Sequence, residues 1–102
     1  MRKTIILNPV PTRTNVAASV TSVQLLAANA SRLAFSIYND SATADLYVAF
    51  GTADASATSF TVKLGPGDFY ESPTDGDYSY AGAVQGLWSV ASGTARMTEV
   101  TT

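Results

Sequence analysis

Arg32-Leu33-Ala34-Phe35-Ser36-Ile37-Tyr38-Asn39-Asp40-Ser41, continuing through Ala42-Thr43-Ala44-Asp45 into Leu46-Tyr47-Val48-Ala49-Phe50, is the stretch that decides the fold. Leu33, Phe35 and Ile37 alternate with Arg32, Ala34, Ser36 and Tyr38, and Leu46, Val48 and Phe50 alternate with Asp45, Tyr47 and Ala49. Period-two alternation on both sides of an Asn/Asp/Ser turn predicts two neighbouring antiparallel strands, each with one apolar face. A lone hairpin is barely stable in water, so further strands must cover that face.

The rest of the chain supplies them. Phe60, Val62 and Leu64 alternate with Ser59, Thr61 and Lys63, and this strand ends at Gly65-Pro66-Gly67-Asp68. Proline presets the first central position of a type II turn and glycine takes the positive φ at the second. Phe69-Tyr70-Glu71 forms a short strand, the chain turns again over residues 73–76, and Tyr78 and Tyr80 share one side of an extended piece. Val84, Trp88 and Val90 lie on one side of the next strand, where Gly86 leaves room for a bulge or a close approach. Ala95 and Met97 then alternate with Arg96 and Thr98, and Val100 ends the last strand. Upstream, residues 24–33 taken alone suit a short helix, but the β-branched run in Val20-Thr21-Ser22-Val23 favours a strand and turn. The expectation is an all-β protein: a compact antiparallel β-sandwich or jelly roll of seven or eight short strands over residues 20–102. Residues 1–19 precede it as an extended N-terminal arm, since Pro9 and Pro11 resist helix. Ile5, Ile6 and Leu7 in that arm suit a short strand or an anchor in a neighbouring subunit, against the plainer reading of a frayed terminus.

At 102 residues the chain has room for one domain. Hydrophobic residues make up 46% and charged residues only 14%, against about 25% charged in an average soluble domain. The polar surface therefore rests on Ser, Thr, Asn and Gln, a mixture suited to a close-packed structural or assembly protein. There is no cysteine and no histidine. That excludes disulfides, thiol nucleophiles, most zinc sites and His-based triads. No apolar run approaches the roughly 18 residues of a membrane span, and the apolar run near the N-terminus is too short for a signal-peptide core. The expected place of synthesis is a cytoplasm. Four cations, Arg2, Lys3, Arg13 and Arg32, precede an acidic body. They are too dispersed for a nucleic-acid site, and the body would repel a phosphate backbone.

Chemical constellations are thin, so no cofactor, metal or catalytic residue is expected. Glu71 with Asp68 or Asp75 forms the best carboxylate pair for glycoside hydrolysis, but all three sit at turns where carboxylates cap amides or meet water. Asp75-Gly76-Asp77 lacks the oxygen ladder and the closing Glu of a calcium loop. The tyrosines carry more. Tyr38 and Tyr47 occupy the polar phases of their strands and should point outward as interface contacts. Tyr70, Tyr78, Tyr80 and Trp88 are the candidates for an alternative carbohydrate-contacting patch, although the apolar neighbours of Trp88 favour a core or subunit-seam position.

From Thr21-Ser22-Val23-Gln24-Leu25-Leu26 through Phe35-Ser36-Ile37-Tyr38-Asn39-Asp40-Ser41, Leu46-Tyr47-Val48-Ala49-Phe50-Gly51, Phe60-Thr61-Val62-Lys63-Leu64, Gly65-Pro66-Gly67 and Tyr70-Glu71, to Val84-Gln85-Gly86-Leu87-Trp88-Ser89 and Gly93-Thr94-Ala95-Arg96-Met97-Thr98-Glu99-Val100, the chain resembles a recurrent module of small tailed-bacteriophage structural proteins. The similarity covers roughly residues 20–101. It implies a β-rich, non-enzymatic virion protein that decorates the capsid or joins the head, neck or tail. Its implied partners are further copies of itself and other virion proteins such as the major capsid protein. The rival expectation is a carbohydrate-binding or adhesion module.

Overall fold

The computed structural model describes residues 8–73 and 79–102. Eight strands are present among them: β1 (Val10–Ala17), β2 (Val23–Leu26), β3 (Arg32–Asp40), β4 (Leu46–Phe50), β5 (Val62–Leu64), β6 (Phe69–Glu71), β7 (Val84–Trp88) and β8 (Thr94–Thr101). They form two four-stranded sheets, sheet I in the order β1-β8-β3-β6 and sheet II in the order β2-β7-β4-β5. Every pairing is antiparallel. The first strand pairs with the eighth, the second with the seventh, the third with the sixth and the fourth with the fifth. This is one long hairpin wrapped into a double-sheet jelly roll.

The expected hairpin of β3 and β4 is corrected here, because β3 lies in sheet I and β4 in sheet II. Alternation fixes which face of a strand is apolar and says nothing of its lateral neighbour. Phe35 and Ile37 of one sheet therefore meet Leu46 and Val48 of the other in the middle of the sandwich, all within one buried cluster with Leu25, Val84, Trp88 and Met97. The boundary at residue 19 is also corrected. Residues 10–17 are not an arm outside the body, since β1 pairs with β8 over its whole length from Val10↔Thr101 to Ala17↔Thr94. Val16 and Ala18 pack against the core, which ties the strand down. Two smaller expectations shift as well. Val90 lies beyond the end of β7 and is exposed, and Phe60 precedes β5 and turns outward, so neither continues the inward phase of its strand.

The turn at residues 65–68 forms as expected. Gly67 has φ +78° and the Asp68 amide donates to the Gly65 carbonyl at 3.0 Å. The Asp68 carboxylate closes the turn from the other side by accepting the Gly65 amide at 2.8 Å. Gly86 makes the close approach anticipated for it: a Cβ there would lie 2.8 Å from Cδ1 of Leu25. Leu25 is buried beside a bulge in β2 and has little room to withdraw. Gly86→Ala should therefore destabilise the fold by about 1–3 kcal/mol through overpacking. An unchanged urea midpoint would show that Leu25 can repack.

Candidate interaction face on sheet I

The outer face of sheet I gathers exposed side chains into rows. Strand register places Asn15 opposite Arg96, Arg96 opposite Tyr38, and Tyr38 opposite Phe69. The next row runs Arg13, Thr98, Ser36, Glu71. Directly opposed residues stand about 5 Å apart on one face of a sheet, so four strands present one continuous platform. Phe69 is 58% exposed and Tyr38 38%. Arg96 is held by Asp40, Nε to Oδ2 at 2.6 Å, with both side chains about half exposed. Such a surface pair contributes up to about 1 kcal/mol and serves mainly to orient the guanidinium.

Two shallow concavities mark this platform. One, about 410 Å³, is lined by Arg13, Asn15, Arg96, Met97 and Thr98. The other, about 190 Å³, is lined by Ala34, Phe35, Ser36, Glu71, Thr98 and Val100. Small side chains at Ala34, Ser36 and Thr98 form a low floor between aromatic and charged rims. A surface of this kind admits close contact with another surface through apolar area, hydroxyls and a fixed cation. Among the described residues no group of three or more side chains is placed to hold a metal ion.

The two expected interface tyrosines do not share a face. Tyr38 is on sheet I and Tyr47 on sheet II, and each points away from the core between the sheets, so they occupy opposite faces. Tyr47 packs on Phe60 with ring centroids 5.1 Å apart, and the Lys63 ammonium lies 5.8 Å from its ring. Ile5, Ile6 and Leu7 lie outside the described residues, as does Tyr78.

Three of the residues expected to form a carbohydrate patch, Tyr70, Tyr80 and Trp88, are placed elsewhere. Trp88 is 1% exposed at the centre of the core. Tyr80 stacks on Phe50 at 4.7 Å and donates its hydroxyl to the Ala83 carbonyl at 2.6 Å. Tyr70 packs between Phe35 and Phe50, about 6 Å from each. These rings fill the space between the sheets, because the apolar phase of each segment turns inward. Phe69 is the residue missed by the sequence reading. With Tyr70 inward, a strand must turn Phe69 and Glu71 outward, and that parity was the available signal. No family model matches this chain, and neither a curated protein nor a solved structure is detectably similar to it.

Proposed function

We propose that this chain is a non-enzymatic structural protein of a bacteriophage virion, which decorates or stabilises the capsid by docking the outer face of sheet I on a neighbouring virion protein. The observation that carries the reading is the platform on that face, with Tyr38 and Phe69 exposed side by side and Arg96 fixed next to them. Aromatic residues and arginine are the side chains enriched where proteins meet. The sequence resemblance to tailed-phage structural modules supports the virion assignment. The jelly roll lends weight by analogy, since capsid and lectin domains both use it.

The test is made on particles produced by the host that carries this gene. Peptides of the chain should co-sediment with the major capsid protein on a density gradient. Tyr38→Ala with Phe69→Ala should release the protein from the particles, lowering its occupancy about tenfold or more, while the urea midpoint stays near that of the wild type because neither side chain is in the core. Absence of the chain from purified particles would overturn the proposal.

A carbohydrate-binding module is the second reading, favoured by the same exposed aromatic pair beside two shallow concavities. Saturable binding on a glycan array, abolished by the same double substitution, together with absence from particles, would select it.

A further inference from the structure

The open edge of sheet I has a register written into it. From Val10 to Asn15, β1 is exposed at every residue, and β8 is its one partner among the described strands. The Ala18 amide donates to the Gly93 carbonyl at 3.0 Å, which continues the β1–β8 register one step past Ala17↔Thr94. In an antiparallel ladder, alternate residues turn their N–H and C=O toward the same neighbour. Even-numbered residues of β1 thus bond to β8, and Pro11, Arg13, Asn15 and Ala17 turn their backbone groups to the open edge. Pro11 has no N–H to offer, as suits proline on an edge strand. Arg13, Asn15 and Ala17 each offer one donor and one acceptor.

We propose that these three residues pair with the same three of a second copy of this chain, antiparallel, about a two-fold axis through Asn15. Arg13 then lies opposite the second copy's Ala17 and Asn15 opposite the second copy's Asn15, and six N–H···O=C bonds close. The product is a continuous eight-stranded sheet in the order β6-β3-β8-β1-β1-β8-β3-β6.

Neighbouring registers are worse. Centring the axis on Arg13 sets two guanidiniums directly opposite each other, and like charges so placed are destabilising. Centring it on Thr14 drives the Pro11 ring, in place of an amide hydrogen, against the second copy's Ala17 carbonyl. Sliding the other way, past Asn15, shortens the ladder to two pairs. In the proposed register the two Arg13 residues are offset by four residues along the ladder. At roughly 3.3 Å per residue this is about 13 Å, beyond the Debye length of about 8 Å at physiological salt. Ala17 opposite Arg13 leaves the long side chain room to lie across its partner strand. A contact of this narrow kind belongs to the small end of protein interfaces, so the dimer should form at micromolar concentrations. The inference deepens the assembly reading by naming what fills one edge. It is tested without any particle, so its failure leaves the particle experiment untouched.

The experiment is sedimentation velocity of the full chain from about 1 to 500 μM. The wild type should pass from monomer to dimer over this range. Asn15→Pro removes only an edge-facing N–H, so it should keep the wild-type circular dichroism and melting curve and remain monomeric. The chain has no cysteine, which permits a register test. Asn15→Cys places two sulfurs on the axis with Cα atoms about 5.5 Å apart, inside the disulfide range, and should cross-link under mild oxidation at least tenfold faster than Arg13→Cys. A wild type monomeric throughout the range, a folded Asn15→Pro that still dimerises, or equal cross-linking of the two cysteine variants would each overturn the proposal.

Discussion

Arg32→Met should lower the unfolding free energy by about 3–5 kcal/mol, the scale on which a buried ion pair loses one partner. The Arg32 side chain is fully shielded, and its Nε donates to Oε2 of Glu99 at 2.7 Å. Its Nη atoms donate to the carbonyls of Ala27 at 2.6 Å and Gly82 at 2.8 Å, with Tyr80 at 3.3 Å. One guanidinium therefore ties β8 to the segments that leave β2 and enter β7. Methionine keeps the stem and removes the fork, leaving Glu99 uncompensated and the carbonyls without their donor. A small domain is stable by only about 5–15 kcal/mol, so urea unfolding should show a large fall in midpoint. Arg32→Lys should recover little, because a compact ammonium cannot reach the fork's three directions at once. Arg32→Met with Glu99→Leu should recover part of the loss, since the stranded carboxylate is then gone. A wild-type midpoint for Arg32→Met would show that the pair and its carbonyl contacts contribute nothing net.

Arg32 also marks where the sequence stops being legible. Strict alternation from Phe35 and Ile37 assigns it to the solvent face. The register against β8 shifts between Arg32↔Thr101 and Ala34↔Val100, so Leu33 is an inserted residue and Arg32 is turned inward. A bulge leaves no signature in side-chain types, because it is set by the partner strand. The all-β class with two packed sheets, the turn over residues 65–68 and the inward phase of Phe35, Ile37, Leu46 and Val48 were legible, since each rests on local periodicity or turn chemistry. The separation of β3 and β4 into different sheets was not, nor was the pairing of β1 with β8, a contact across some 80 residues. The interaction face suffers the same limit. Tyr38 could be assigned to the surface from its own strand, but its alignment with Phe69 and Arg96 exists only once β3, β6 and β8 are side by side.

Asn39→Asp should cost about as much as the loss of Arg32, and through a change of a single group. Asn39 sits at the end of β3 with no solvent exposure. Its Nδ2 donates to the carbonyls of Ala44 at 2.8 Å, Leu64 at 3.0 Å and Gly65 at 3.0 Å. Those carbonyls belong to the approach to β4, the end of β5 and the turn after it, so one amide of sheet I fastens the end of sheet II. Its backbone adds two bonds to that turn, from its amide to Asp68 and to its carbonyl from Gly67. Two amide hydrogens serve three acceptors, so one contact is shared. Aspartate would set an oxygen against three carbonyl oxygens at about 3 Å. Ionised, it is a buried charge facing negative dipoles; protonated, it has one hydrogen for three acceptors. Asn39→Leu removes the donors without adding charge, and each stranded carbonyl costs about 1–3 kcal/mol where water cannot reach it. Urea unfolding at pH 7 should therefore rank wild type above Asn39→Leu and Asn39→Asp lowest. Acidification should narrow the gap between the two variants, because protonation removes the buried charge from Asp alone. An aspartate variant as stable as wild type at pH 7 would mean that water reaches this corner and that the two sheets are fastened there by side-chain packing, with no net contribution from the amide.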